Sequence, residues 1–165
     1  TSFICGMMNL NKVGVLGHSY GGATAIQSSY EDNRFNSCLV LDSWMNPIPD
    51  TVLTSGIQQP FLYLGRPNWG DSDYPSSPDL VNNFINANPK HKYQFILKNS
   101  QHLDFCDAPL FSPLSQWVLE TGTIPAKKAV AITNNVTLSF FDRFLKGKSN
   151  GFPNNFSSDP YIITR

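Results

Sequence analysis

At 165 residues, 41% hydrophobic and 13% aromatic, the chain has the length and composition of one globular domain with a substantial core. Twelve Lys and Arg offset twelve Asp and Glu, so the formal charge is zero and the basic footprint of a nucleic-acid binder is absent. No apolar run approaches the roughly 20 residues that cross a bilayer as a helix, and a chain starting at Thr1 leaves any targeting segment upstream open.

Taken in chain order, four short apolar or β-branched runs read as strands: Val13–Leu16, Cys38–Leu41, Phe61–Leu64 and Tyr93–Leu97. Continuous rather than alternating apolar runs suit strands buried on both faces of a parallel sheet. Helices are expected between and after them, at Gly22–Tyr30, Asp79–Ala87 and Ala126–Lys146. The last places Ala129, Ile132, Val136 and Phe140 at helical spacing. Alternating strands and helices imply right-handed βαβ units, an α/β fold. From Gly147 the chain is rich in Asn, Ser, Gly and Pro and reads as a loose polar tail, so the expected division is 1–147 and 148–165.

The cysteines Cys5, Cys38 and Cys106 have no metal-ligand spacing, and their odd number argues against a complete disulfide framework. Free, buried thiols are expected. Two sequons, Asn135-Val136-Thr137 and Asn155-Phe156-Ser157, matter only in a secreted protein, so the compartment stays open.

The segment Gly17-His18-Ser19-Tyr20-Gly21 fits G-x-S-x-G, with an expected strand before it and a helix after it. That is the context of a nucleophile elbow, where a serine sits on a sharp strand-to-helix turn. Gly17 and Gly21 are read as small so that the backbones can pass, and Gly22 as letting the helix start close to the sheet. The helix N-terminus, with the Tyr20 backbone N–H, then faces developing oxyanion charge. His18 is expected to pack or bond locally rather than act as base.

A serine hydroxyl needs a general base oriented by a carboxylate, and the chain order on this fold is Ser, acid, His. His91 lies in a basic turn before a strand and is expected to be solvated. His102 follows the end of the last parallel strand, where catalytic groups gather in open α/β sheets, and is the expected base. For the acid, Asp42 ends one strand, whereas Asp71 and Asp73 follow the next. Position alone leaves all three open. Leu110, Phe111, Leu114, Trp117 and Val118 form an apolar stripe soon after His102, interrupted by Pro113. A core-facing helix is the preferred reading of that stripe, and an interfacial helix beside the site is the alternative.

The run "KVGVLGHSYGGATAIQSSYEDNRFNSCLVLDSWMNP", Lys12 to Pro47, resembles the platelet-activating factor acetylhydrolases, α/β-hydrolases of the lipoprotein-associated phospholipase A2 type. Pro60-Phe61, Ser100-Gln101-His102 and Thr121-Gly122 follow in the family's order, and the similarity fades in the tail. The resemblance implies Asp42 as the acid, beside Ser19 as nucleophile and His102 as base, with no metal or organic cofactor. It implies calcium-independent hydrolysis of the short or oxidised sn-2 acyl ester of a glycerophospholipid, in a secreted or a cytosolic enzyme. Contact with a lipid or lipoprotein surface is the expected partnership. The alternatives are a general short-chain carboxylesterase of the same fold and an inert lipid-binding chain.

A full sheet of this fold places several strands before the nucleophile strand, so the sequence reads as the C-terminal half of an α/β-hydrolase domain. The loop bearing a second oxyanion donor is then expected outside it, at a cost of about 10²–10³ in turnover. The strand Val13–Leu16 is expected to form an unpaired apolar edge.

Overall fold

The computed structural model describes residues 6–68, 76–112 and 114–165. Cys5, Asp71, Asp73 and Pro113 therefore lie outside the described residues. Five strands, Val13–His18 (β1), Phe35–Leu41 (β2), Phe61–Gly65 (β3), Lys92–Leu97 (β4) and Ile162–Thr164 (β5), lie side by side in that order. The first four are parallel, and β5 runs antiparallel to β4.

The continuous apolar runs are explained by cover on both faces of the sheet. Successive side chains point to opposite faces, so Leu39 and Leu41 of β2 and Leu62 and Leu64 of β3 share one side. There they meet Ile132, Val136 and Phe140 of the long helix Ala126–Lys146. On the other side Cys38, Val40, Phe61 and Tyr63 pack against the helices Tyr20–Glu31, Asp50–Ser55 and Ser77–Ala87. In chain order the helices are α1 (Tyr20–Glu31), α2 (Asp50–Ser55), α3 (Ser77–Ala87), α4 (Ser115–Val118) and α5 (Ala126–Lys146). Each expected strand and helix is present, within a few residues of its expected ends. The six-residue α2 and three-residue β5 are additions, too short to leave a periodic signal.

Two expectations are corrected. The segment after Gly147 is not a loose tail: Phe152, Phe156 and Ile162 are buried in the core beneath α5. The Phe152 ring meets Tyr93 edge-on at 4.9 Å and lies 5.8 Å from both Phe95 and Phe140, so a polar composition hides three well-placed apolar anchors. The stripe after His102 is not a core-facing helix. It forms a 3₁₀ turn, Ala108–Leu110, and the four-residue α4, and leaves Phe111 83% and Trp117 79% exposed. Phe105 and Ile124 close the core on that side instead.

Cys38 is free and buried, and burial pushes its thiol up to about 12, whereas Cys106 is free and half-buried. Among the described residues β1 pairs with β2 alone, and Leu16 on it is 45% exposed.

Candidate active site

The C-terminal ends of β1 to β4 share one edge of the sheet, and each continues into a residue of the candidate site. β1 ends at His18, and α1 begins at Tyr20. Ser19 makes the whole turn alone, with φ 57° and ψ −123°. A serine in so unfavourable a conformation persists only where its surroundings over-determine it. Here its N–H donates to the Leu41 carbonyl (3.0 Å), and its own carbonyl accepts the N–H groups of Gly22 (3.0 Å) and Trp44 (3.1 Å).

The glycines around it differ in purpose. A Cβ on Gly17 would strike the backbone carbonyl of Gly21, and one on Gly22 would lie 2.6 Å from the Ser43 side chain. A Cβ on Gly21 would meet nothing within 4 Å. The close passage expected of Gly17 and Gly22 is therefore seen, and no steric reason attaches to Gly21.

Asp42 follows β2 directly, with φ 41° and no exposed surface. His102 opens the 3₁₀ turn His102–Phe105 after β4. Its Nδ1 lies 2.7 Å from Asp42 Oδ2, and its Nε2 lies 2.9 Å from Ser19 Oγ. An ionised carboxylate only accepts, so Nδ1–H is the donor to Asp42. Nε2 is then left with its lone pair toward the serine hydroxyl, the arrangement a general base requires. The structure thus brings Ser19, His102 and Asp42 into one hydrogen-bonded chain from three different strand ends. Tyr20 is the first residue of α1, so its N–H has no acceptor within the helix and remains at the positive end of the helix dipole.

The other candidates lie apart from this chain or outside the described residues. His18 donates Nε2–H to the His102 carbonyl (3.1 Å), and the two rings are 4.7 Å apart. Burial, then the neighbouring His102, hold the His18 ring below its ordinary 6.5. His91 is exposed at the opposite end of the sheet, 5.4 Å from the Phe144 ring. Asp71 and Asp73 lie outside the described residues.

Two supporting groups went unforeseen. The buried Asp104 accepts the N–H groups of Gln101 (2.8 Å) and Gly122 (2.6 Å) through Oδ2, pinning the turn that carries His102. A Cβ on Gly122 would strike the Asn99 carbonyl, so that pin needs glycine. Arg66 gives its backbone N–H to Asp42 Oδ1 at 2.9 Å. Its position one residue beyond β3, at the same sheet edge, was the signal that could have found it.

This geometry has counterparts in known proteins. The family model for platelet-activating factor acetylhydrolase, isoform II, matches residues 2–158. The chain is 29% identical over 145 residues to a platelet-activating factor acetylhydrolase of Gallus gallus, covering 86% of this chain and 33% of that protein. It is 31% identical over 137 residues to the Bos taurus enzyme of that name, covering 82% and 30% respectively. The chain therefore spans about a third of the length of the curated relatives it matches. Among solved structures, a ferulic acid esterase from Streptomyces cinnamoneus superimposes with a TM-score of 0.78 at 27% identity, over 95% of this chain and 47% of that one. The mostly parallel sheet with helices on both faces is thus an α/β-hydrolase-like esterase fold. With a family model matched along nearly the whole sequence, the chain belongs to the family of platelet-activating factor acetylhydrolase, isoform II.

Proposed function

We propose that this chain carries the catalytic groups of a serine hydrolase. Its reaction is calcium-independent cleavage of the sn-2 acetyl, or short or oxidised acyl, ester of platelet-activating factor and related glycerophospholipids. The observation that carries the reading is the unbroken chain from Ser19 Oγ through His102 to the buried Asp42. Ser19 Oγ attacks the ester carbonyl carbon while His102 Nε2 takes its proton, and the negative oxygen faces the Tyr20 N–H. Collapse breaks the bond to the glycerol oxygen, which takes the proton back from His102 and leaves as lysophospholipid. Water, losing a proton to His102, then attacks the acetyl-Ser19 ester. Acetate leaves, Ser19 recovers its proton, and Asp42 holds the imidazole tautomer throughout.

The structural likeness to a ferulic acid esterase favours a second reading, a general carboxylesterase that takes soluble esters equally well. The exposed Leu110, Phe111, Leu114, Trp117 and Val118, on the segment that follows His102, favour the phospholipid reading, because they offer a lipid-facing surface beside the site.

A reactive organophosphorus ester tests the site, with the adduct located by peptide mass spectrometry. The expected adduct is on Ser19, and Ser19→Ala and His102→Ala abolish it. Asp42→Asn is expected to slow hydrolysis of a 2-acetyl phospholipid by about 10⁴. An unchanged rate returns the acid role to Asp71 or Asp73. Equal kcat/KM for that phospholipid and a soluble acetate ester selects the general esterase.

A further inference from the structure

We infer that Arg66 is a positioning residue for this site and that Glu120 sets the net charge it presents there. The inference rests on the roles proposed above for Asp42 and His102. The key juxtaposition is at a single oxygen: Asp42 Oδ2 lies 2.7 Å from His102 Nδ1 and 3.4 Å from Arg66 Nε. The other oxygen, Oδ1, accepts the Arg66 backbone N–H. The Arg66 side chain is 5% exposed and that of Asp42 is fully buried.

A carboxylate withdrawn from water needs a cation or several donors, and a neutral imidazole supplies one donor only. Arg66 provides the charge. The same charge opposes catalysis, however, because when His102 takes the Ser19 proton two cations face one oxygen. The far end of Arg66 relieves this. Its Nη1 donates to Glu120 Oε1 and lies 3.4 Å from Gln101 Oε1. Glu120 is held in place by its own backbone, whose carbonyl accepts the N–H of Leu103, the neighbour of His102, at 3.0 Å.

Among the described residues, Asp42, Arg66 and Glu120 together therefore show His102 one net negative charge, while Asp42 remains fixed. Among the described residues, the other groups around His102 include His18 from β1, which donates to the His102 carbonyl, and two on the turn itself. Asp104 is engaged by the N–H groups of Gln101 and Gly122, and Cys106 donates to the Leu103 carbonyl.

The test is a ring-carbon NMR titration of His102 in the parent chain, Arg66→Gln, Glu120→Gln and the double variant, with Ser19 labelling rates measured alongside. The chain has three histidines, so His18→Gln and His91→Gln assign the signals. Arg66→Gln keeps the backbone N–H to Asp42. It is expected to raise the His102 midpoint, on the order of one pH unit, and to slow labelling by about 10- to 100-fold. Glu120→Gln is expected to lower the midpoint, by less because Glu120 is 55% exposed and screened, with little change in the labelling plateau. The double variant falls between them. Arg66→Lys, which keeps the charge, restores the parent midpoint and covers the case in which Arg66→Gln does not fold.

Midpoints that move the same way in both single variants, or stay put in folded chains, overturn the inference. Midpoints that part as expected while Ser19 takes no label overturn the esterase reading and support the positioning role.

Discussion

Ser19 and Asp42 both adopt positive φ without being glycine, and each is the first residue beyond a parallel strand. Such strain costs of the order of 1–3 kcal/mol per residue and survives where hydrogen bonds fix the backbone, as the Leu41, Gly22 and Trp44 bonds do for Ser19. His18 contributes to the same region in a way that depends on pH. Its ring titrates below 6.5 in the folded chain, so the unfolded chain binds the proton more readily. The stability this group contributes is fully present above about pH 6.5 and is lost as the pH falls through the lowered folded value. His18→Gln keeps an N–H for the His102 carbonyl without a titrating ring. Urea midpoints taken at about pH 7 and about pH 5 should fall less in that variant than in the parent. Equal falls would show that His18 does not titrate differently on folding.

Strands and long helices were legible because their apolar runs are continuous and their lengths typical, as in Phe61–Leu64 and Ala126–Lys146. The segment Leu110–Val118 was misread because an apolar spacing does not reveal whether anything lies opposite it. Its apolar side chains Leu110, Phe111, Leu114, Trp117 and Val118 are exposed, which leaves folding little to lose on their truncation. Under the phospholipid reading, Phe111 and Trp117 each gain about 1.5–3 kcal/mol on full withdrawal into lipid. The double variant Phe111→Ala, Trp117→Ala should therefore weaken sedimentation with phosphatidylcholine vesicles tenfold or more, while its thermal midpoint stays near the parent's. Unchanged vesicle binding would remove this surface from the proposal.

For the molecule as a whole, the described sheet runs in chain order from β1 to β5, which the last residues supply. Phe152 and Phe156 are each 8% exposed, in an aromatic cluster with Tyr93, Phe95 and Phe140. Phe152→Ala should cost about 3–5 kcal/mol in urea unfolding, a large part of a small domain's total stability. A loss under about 1 kcal/mol would mean that the terminal segment is not part of the cooperative core.

The sequence by itself determined the order of elements and offered the elbow at Gly17–Gly21 and His102 as candidates, because periodicity and turn chemistry are local properties of a chain. It pointed to Asp42 over Asp71 and Asp73 only through family resemblance, since position along the chain does not choose among the three. What lies beside Asp42 was decided by the tertiary structure alone. Parallel registry sets His18 against Leu41 and Leu41 against Leu64. That registry carries Ser19, Asp42 and Arg66 to one edge, where β4 delivers His102. Residues so far apart in sequence meet only because four parallel strands end together, and no local pattern records that meeting.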